Sequence, residues 1–212
     1  MPAFPPEITQ RQVGTPDEIA RAWVGTRPNA PAPIRIVEYD ASWPDRFARA
    51  STTIHSALGA AAIRVEHVGS TSVPGLAAKP VIDIDVTVAD TEVEDSYAPA
   101  LEAAGFELVL REPSWNGHRM FNDAGATINL HVFPSGAPEL VRHVLLRDWL
   151  RTHPDDRRLY AEAKIRLAER TRNDPGAYNL DKNAVIDEIF GRIFAAAAEP
   201  TGDAEGAAAE DR

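Results

Sequence analysis

Residues 67 to 88 read HVGSTSVPGLAAKPVIDIDVTV: a glycine-serine turn, a connection of small residues, a lysine, and a Val/Ile run interrupted by Asp83 and Asp85. Such a density of valine and isoleucine specifies a strand, whereas aspartate is depleted in strands and an unpaired ionised carboxylate is costly to bury. The two-residue period of a strand puts Asp83 and Asp85 on one face and Ile82, Ile84 and Val86 on the other. Their Cα atoms then lie about 6.5 Å apart at roughly 3.3 Å per residue, close enough for both carboxylates to turn toward one or two divalent ions. A cation would offset their repulsion and their desolvation together, and hard oxygen donors suit Mg²⁺ or Mn²⁺.

The turn before this strand supplies a complementary half. Gly69 lets the backbone approach a ligand closely, and Ser70, Thr71 and Ser72 offer hydroxyls and N–H groups; a short helix starting here would add its positive end. Lys79 stands between turn and aspartates as a charge partner for a phosphate or for the carboxylates. Taken singly, a Gly-Ser turn is more often an ordinary β-turn than a phosphate cradle, whereas the Val/Ile run around Asp-x-Asp argues for burial over a solvent-facing edge. The combination at this spacing points to phosphoryl chemistry, in which the protein positions a polyphosphate and a metal polarises it.

Outward from this stretch, the pattern alternates. IRIVEY (34–39) and IRVEHV (63–68) read as strands, and SWPDRFARASTTIHSAL (42–58) as a helix with a serine cap. TEVEDSYAPALEAAG (91–105) is expected to be helical with Gly105 as its stop, followed by strands FELVLR (106–111), HRMF (118–121) and ATINLHVF (126–133). From Pro138 onward helices dominate. The expected class is α/β (α+β) over the first two-thirds, with a helical C-terminal third. The expected organisation is a loose, Pro-rich extension over 1–33, an α/β core over 34–137, C-terminal helices packed on it over 138–198, and a disordered tail over 199–212.

Composition narrows the functional classes. With no cysteine, thiol catalysis, disulfides and thiolate metal sites are excluded. Of the formal net charge of −10, −4 falls in the last 14 residues, leaving −6 on the body. An acidic body argues against nucleic acid as a partner, while a local basic pocket for a small phosphorylated ligand remains compatible. Neither a signal peptide nor an apolar run of membrane-spanning length is visible, so a cytoplasmic protein with no membrane partner is expected.

Gly-Ser, twelve residues (71 to 82) and Asp-Ile-Asp in a strand resemble the signature of the nucleotidyltransferase superfamily, the polymerase-β-like fold. More closely, EHVGSTSVPGLAAKPVIDIDV, the LHVFP segment, RDWLRTHPDDRRLYAEAK and the pair Tyr178 and Lys182 resemble the GrpB family over about residues 34–194. The resemblance implies a mixed sheet with flanking helices, the Gly69–Ser72 turn on nucleotide phosphates, Asp83 and Asp85 as catalytic metal ligands, and Mg²⁺ or Mn²⁺ as cofactor. It further implies transfer of a nucleotidyl group from a nucleoside triphosphate to an unknown small-molecule acceptor. Family members also occur fused to dephospho-coenzyme A kinase, which gives an alternative: a non-catalytic binding or accessory module linked to coenzyme A metabolism.

One departure is visible. In the superfamily a later strand often supplies a third acid, but ATINLHVF alternates Ile128, Leu130 and Val132 with Thr127, Asn129, His131 and Phe133, presenting Asn129 and His131 instead. His131 is thus a candidate third ligand, or a general base for an acceptor hydroxyl. Arg119 and Lys182 are further candidates to grip phosphates; Arg147 and Asp148 are expected to form surface or interhelical ion pairs. Trp43, Phe47, Trp149, Leu150, Ile186, Ile189 and Phe190 are assigned to core packing.

Overall fold

A computed structural model describes residues 4–25, 34–171 and 175–198. Its strands are β1 (Arg64–Val68), β2 (Ile82–Val88), β3 (Phe106–Glu112), β4 (His118–Asp123) and β5 (Ile128–Pro134), in the sheet order β1-β2-β5-β4-β3. β2 runs parallel to β5 and the other neighbours are antiparallel, so the sheet is mixed. Helices α1 (Pro6–Thr9), α2 (Pro16–Arg21), α3 (Trp43–Leu58), α4 (Ala98–Ala103), α5 (Pro138–Thr152), α6 (Pro154–Thr171) and α7 (Pro175–Ala198) complete it.

The two faces of β2 have different fates. Ile82, Ile84 and Val86 are fully buried with Leu130, Val132, Phe121 and the α3 and α4 side chains Trp43, Ile54 and Leu101. Each such aliphatic side chain contributes roughly 1.5–3 kcal/mol relative to exposure. The opposite face carries Asp83, Asp85 and Thr87, and the register sets them beside Asn129, His131 and Phe133 of β5. Over this face and the β1 edge lie α5, α6 and α7, which share a second apolar cluster of Val73, Leu76, Leu150, Tyr160, Ile189, Phe190 and Ile193. Trp43, Leu150, Ile189 and Phe190 are buried as expected, and Phe47, Trp149 and Ile186 pack against the two clusters from partly exposed positions.

Four expectations are corrected. The segment 34–39 is no strand: Val37 and Ala78 exchange two backbone hydrogen bonds at 2.9 Å, and the pairing goes no further. Ser42 stands at the N-cap of helix α3 but its side chain makes no capping bond; Asp40 accepts from the Ser42 N–H at 2.8 Å and forms the turn that starts the helix. The expected helix over 91–105 shrinks to Ala98–Ala103, because Glu92 and Glu94 are drawn into ion pairs with Arg119 and Arg111. The N-terminal extension is not loose over its described part. Val24 N–H donates to Val109, Arg111 N–H to Ala22, Gln12 to Ser114, and Arg142 of α5 to the Ile8 carbonyl. Residues 26–33 and the tail from 199 lie outside the described residues. No helix among the described residues is long and apolar enough to cross a membrane.

Candidate functional site

Glycine at position 69 is required by geometry. Its backbone sits at φ 66° and ψ −171°, and a Cβ there would come within 2.3 Å of Asp83 Oδ2 and 2.9 Å of Asp83 Cβ. Only a residue without a side chain lets the turn lie against the carboxylate. Beyond it, Ser70–Ser72 form one 3₁₀ turn. The Ser72 hydroxyl donates to the Gly69 carbonyl at 2.6 Å, and Arg151 donates to the Ser72 carbonyl at 3.1 and 2.8 Å. Lys164 of α6, only 2% exposed, donates to Ser70 Oγ at 2.9 Å and to the Ala77 carbonyl at 2.5 Å.

A polar cavity of about 170 Å³ opens between this turn, the sheet and α6–α7. Ser70 and Thr71 line it from the turn, Asp83 and Asn129 from the sheet, Lys79 from the connection, and Lys164, Tyr178, Asn179 and Lys182 from the helices. Three lysines thus face, among the described residues, the single carboxylate of Asp83. Burial and the neighbouring Lys182 push Lys79 down to about 8 against the pull of Asp83, and the same causes hold Lys164 well below the ordinary lysine range. The Lys79 ammonium lies 4.2 Å from the centre of the Tyr178 ring and Lys182 5.8 Å from it. An anion would relieve this crowding of cations. A more capacious hollow of about 540 Å³ between α3 and α4 is lined by Thr, Ser and Ala and has no titratable group.

The two aspartates are met by protein groups. Asn129 Nδ2 donates to Asp83 Oδ1 at 2.8 Å. Burial by itself would raise Asp83, but His131, the Asn129 amide and Lys182 together hold it below the usual carboxylate range. Asp85, 2% exposed, accepts from His143 Nδ1 of α5 at 2.8 Å on Oδ2. Its Oδ1 is buried and accepts no hydrogen bond among the described residues. Burial would lower His143, yet Asp85, with Glu139 and Asp83, raises it to about 9, so it is an imidazolium at neutral pH.

A second chain of polar groups reaches Asp83 from β3. Glu112 Oε2 lies 2.7 Å from His118 Nδ1, His118 Nε2 lies 3.0 Å from His131 Nδ1, and His131 Nε2 stands 3.8 Å from Asp83 Oδ1. Burial pushes His118 down to about 4, opposed by Glu112, and likewise His67, which stacks on Phe47, opposed by Asp83. Both imidazoles are neutral in the fold and titrate near 6.5 when unfolded, so the unfolded state binds more protons between those values. Stability is therefore expected to fall as pH drops from about 6.5 toward 4, by on the order of 3 kcal/mol per histidine. Urea unfolding measured across that range checks this, and His118→Phe should flatten the slope.

The structure brings together most of the residues named from sequence. Gly69, Ser70, Thr71, Lys79, Asp83 and Lys182 surround or abut the cavity, with Asp85 and His131 beside Asp83 on the same sheet face. Two are not brought in. Ser72 turns its hydroxyl back onto Gly69, and Arg119 points to the opposite face, where it pairs with Glu94 at 2.7 Å and Glu92 at 2.9 Å. The strand alternation that places His118 at the site necessarily sends Arg119 away. Arg147 pairs with Asp148 as expected and also reaches Glu66 of β1 at 2.5 Å. Lys164, His143 and Glu112 were missed; only the burial of their helix or strand face distinguishes them from solvated charges. Among the described residues no group of three or more His, Asp or Glu is placed to hold a metal ion.

Comparison with known proteins follows the same lines. The family model described as GrpB protein matches residues 33–192. A UPF0157 protein of Halalkalibacterium halodurans is 44% identical over 181 residues, covering 85% of this chain and 93% of its own. A dephospho-CoA kinase of Mycolicibacterium paratuberculosis is 32% identical over 197 residues, covering 81% of this chain but only 48% of the kinase. The crystal structure of the conserved protein GrpB from Enterococcus faecalis superposes with a TM-score of 0.70 at 30% identity, over 78% of this chain and all of that one. The family model spans more than half of the chain and the Halalkalibacterium halodurans relative is 44% identical over 85% of it, so the chain belongs to the GrpB family.

Proposed function

We propose that the lysine-lined cavity binds the phosphates of a nucleoside triphosphate and that the chain transfers the nucleotidyl group to a small hydroxyl- or phosphate-bearing acceptor. The carrying observation is the convergence of Lys79, Lys164 and Lys182 with the Ser70–Thr71 turn on a cavity in which, among the described residues, Asp83 supplies the one carboxylate. At about 170 Å³ the cavity is smaller than pockets that enclose whole ligands of several hundred Å³, so it holds phosphates and leaves the nucleoside outside.

The residues fit a divalent ion through its substrate. Asp85 Oδ1 is buried and accepts no hydrogen bond among the described residues, and Asp83 lies beside it on the same face. Mg²⁺ is commonly held by one or two carboxylates with phosphate oxygens and water in its other positions, so two acids suffice once a polyphosphate is present. When bound, such an ion would polarise the phosphate and neutralise charge developing on it. The chain's own residues bind and orient: the turn N–H groups and the Ser70 hydroxyl meet phosphate oxygens, and the lysines balance their charge.

A specific observation favours a second reading, a binding or accessory module. His143 already neutralises Asp85, and the resemblance to about half of a dephospho-CoA kinase fits a domain that serves a partner enzyme. One experiment separates the two. The protein is incubated with each labelled nucleoside triphosphate, Mg²⁺ or Mn²⁺, and a metabolite extract, and pyrophosphate is measured. Release that disappears in Asp83→Asn supports transfer; binding of nucleotide without release supports the module.

A further inference from the structure

We propose that the cleft between α2 and the β3–β4 hairpin is a second small-molecule site, separate from the lysine-lined cavity, and that it takes a flat apolar body carrying one anionic group, an aryl carboxylate in the simplest case. The cleft encloses about 440 Å³, within the range of roughly 300–1,000 Å³ usual for small-ligand pockets. The way the N-terminal segment is fastened builds it. At one end Gln12 Nε2 donates to the Ser114 carbonyl at 2.8 Å, and the Trp115 indole N–H donates to the Gln12 carbonyl at 3.0 Å. At the other, Arg111 N–H donates to the Ala22 carbonyl at 2.8 Å and Val24 N–H to the Val109 carbonyl at 3.0 Å. Between these ties α2 stands off the hairpin, leaving a space bordered by Ile19, Ala22, Pro113 and Trp115.

The walls favour a flat apolar body. Ile19 borders the cleft yet is 48% exposed, so a ligand there removes aliphatic surface from water. Trp115 is fixed by its bond to Gln12 and by its edge contact with His118, at 5.2 Å and 86°, so it offers an aromatic surface that needs no reordering. The charges favour an anion. Glu18 already accepts from the Thr15 N–H at 2.8 Å and hydroxyl at 2.9 Å, Glu112 is engaged by His118, and Arg111 is paired with Glu94 at 2.8 Å. Arg21, in the last turn of α2, borders the same cleft, and its guanidinium makes no hydrogen bond or ion pair among the described residues. It is the group placed to meet a carboxylate, with the planar fork that such a group fits.

The cleft shares no lining residue with the lysine-lined cavity, so this site stands or falls independently of the nucleotide reading. β-Naphthoate, a two-ring aryl carboxylate, and its neutral amide β-naphthamide are titrated into the full chain. Binding is followed by calorimetry and by the indole N–H signals in ¹H–¹⁵N correlation spectra, with Trp115→Phe identifying the Trp115 signal. The expected result is saturable binding of β-naphthoate at one site that moves the Trp115 signal and persists in saturating inorganic triphosphate. Ile19→Asp, which puts a carboxylate on the apolar wall, should weaken it by about tenfold or more, and Arg21→Ala by about tenfold. β-Naphthamide should bind about tenfold more weakly than the acid and be indifferent to Arg21→Ala. Both residues are exposed, so both variants should fold; if Ile19→Asp does not, Arg21→Ala and the Trp115 signal decide. Absence of saturable binding, an unmoved Trp115 signal, displacement by triphosphate, or equal binding of the acid and the amide overturns the proposal.

Discussion

Gly69→Ala is expected to cost at least about 2 kcal/mol of stability and to abolish measurable phosphate binding, although it adds one methyl group. Two effects combine. The φ of 66° is strained for any residue with a side chain, and the new Cβ would have to displace Asp83 Oδ2 from 2.3 Å, moving the carboxylate that closes the cavity. Gly75→Ala separates the two effects. Gly75 has a φ of 75° but nothing within 4 Å of the position a Cβ would take, so its substitution should cost about 1–2 kcal/mol through strain alone and leave binding intact. Urea unfolding and calorimetric titration with inorganic triphosphate on both variants check this. Equal binding by the Gly69 and Gly75 variants would show that the turn does not need to touch Asp83.

His143→Ala is expected to destabilise the fold by about 3–5 kcal/mol, because it leaves the buried Asp85 without its counter-charge. For a domain of this size that is a drop in Tm of roughly 6–20 °C. Adding Asp85→Asn to His143→Ala should recover more than half of the loss, since the stranded charge is then gone. The pair also sets a pH window. The folded His143 titrates at about 9, above its ordinary value near 6.5, so its contribution is fully present below about 6.5 and is lost as pH rises through 9. Wild-type stability should therefore decline over that interval, and the decline should vanish in His143→Gln. Asp85 and His143 answer the question raised by acids in an apolar strand: before any metal is considered, an imidazolium offsets one carboxylate and an amide the other.

How much of this was legible in the sequence depended on how local each signal was. The alternation in VIDIDVTV and ATINLHVF correctly gave the faces of β2 and β5, because a two-residue period needs no tertiary knowledge, and the parallel register then joins Asp83 to Asn129 and Asp85 to His131. The turn was legible for the same reason: its glycine and hydroxyls are adjacent. Lys164 was not, since a lysine in DDRRLYAEAKIRLAER looks solvated until α6 packs onto the Ser70–Ser72 turn and buries it. His143 is a similar case on α5. Arg119 shows a limit of another kind: its charge suits a phosphate, but it lies next to His118 in β4, and neighbouring strand residues face opposite ways, so only one of the two reaches the site face. IRIVEY has strand propensity but finds a partner at one position, Ala78, and propensity without a partner makes no ladder. The N-terminal segment reads as polar and Pro-rich, yet its ties to β3 and α5 run largely through backbone groups that composition does not reveal.

Equilibrium binding decides whether the cavity between Gly69 and Lys182 takes the phosphates of a nucleotide. Each of the four common nucleoside triphosphates is titrated calorimetrically, with Mg²⁺, into the wild-type chain and into Lys79→Met, Lys182→Met and Asp83→Asn. A charge-assisted contact is worth about 1.5–3 kcal/mol, so each lysine variant should weaken binding by roughly 10- to 100-fold. Asp83→Asn should weaken binding only when Mg²⁺ is present. Saturable one-site binding with that pattern is the predicted result. Failure of every triphosphate to bind the wild-type chain, or binding that all three substitutions leave unchanged, would contradict it.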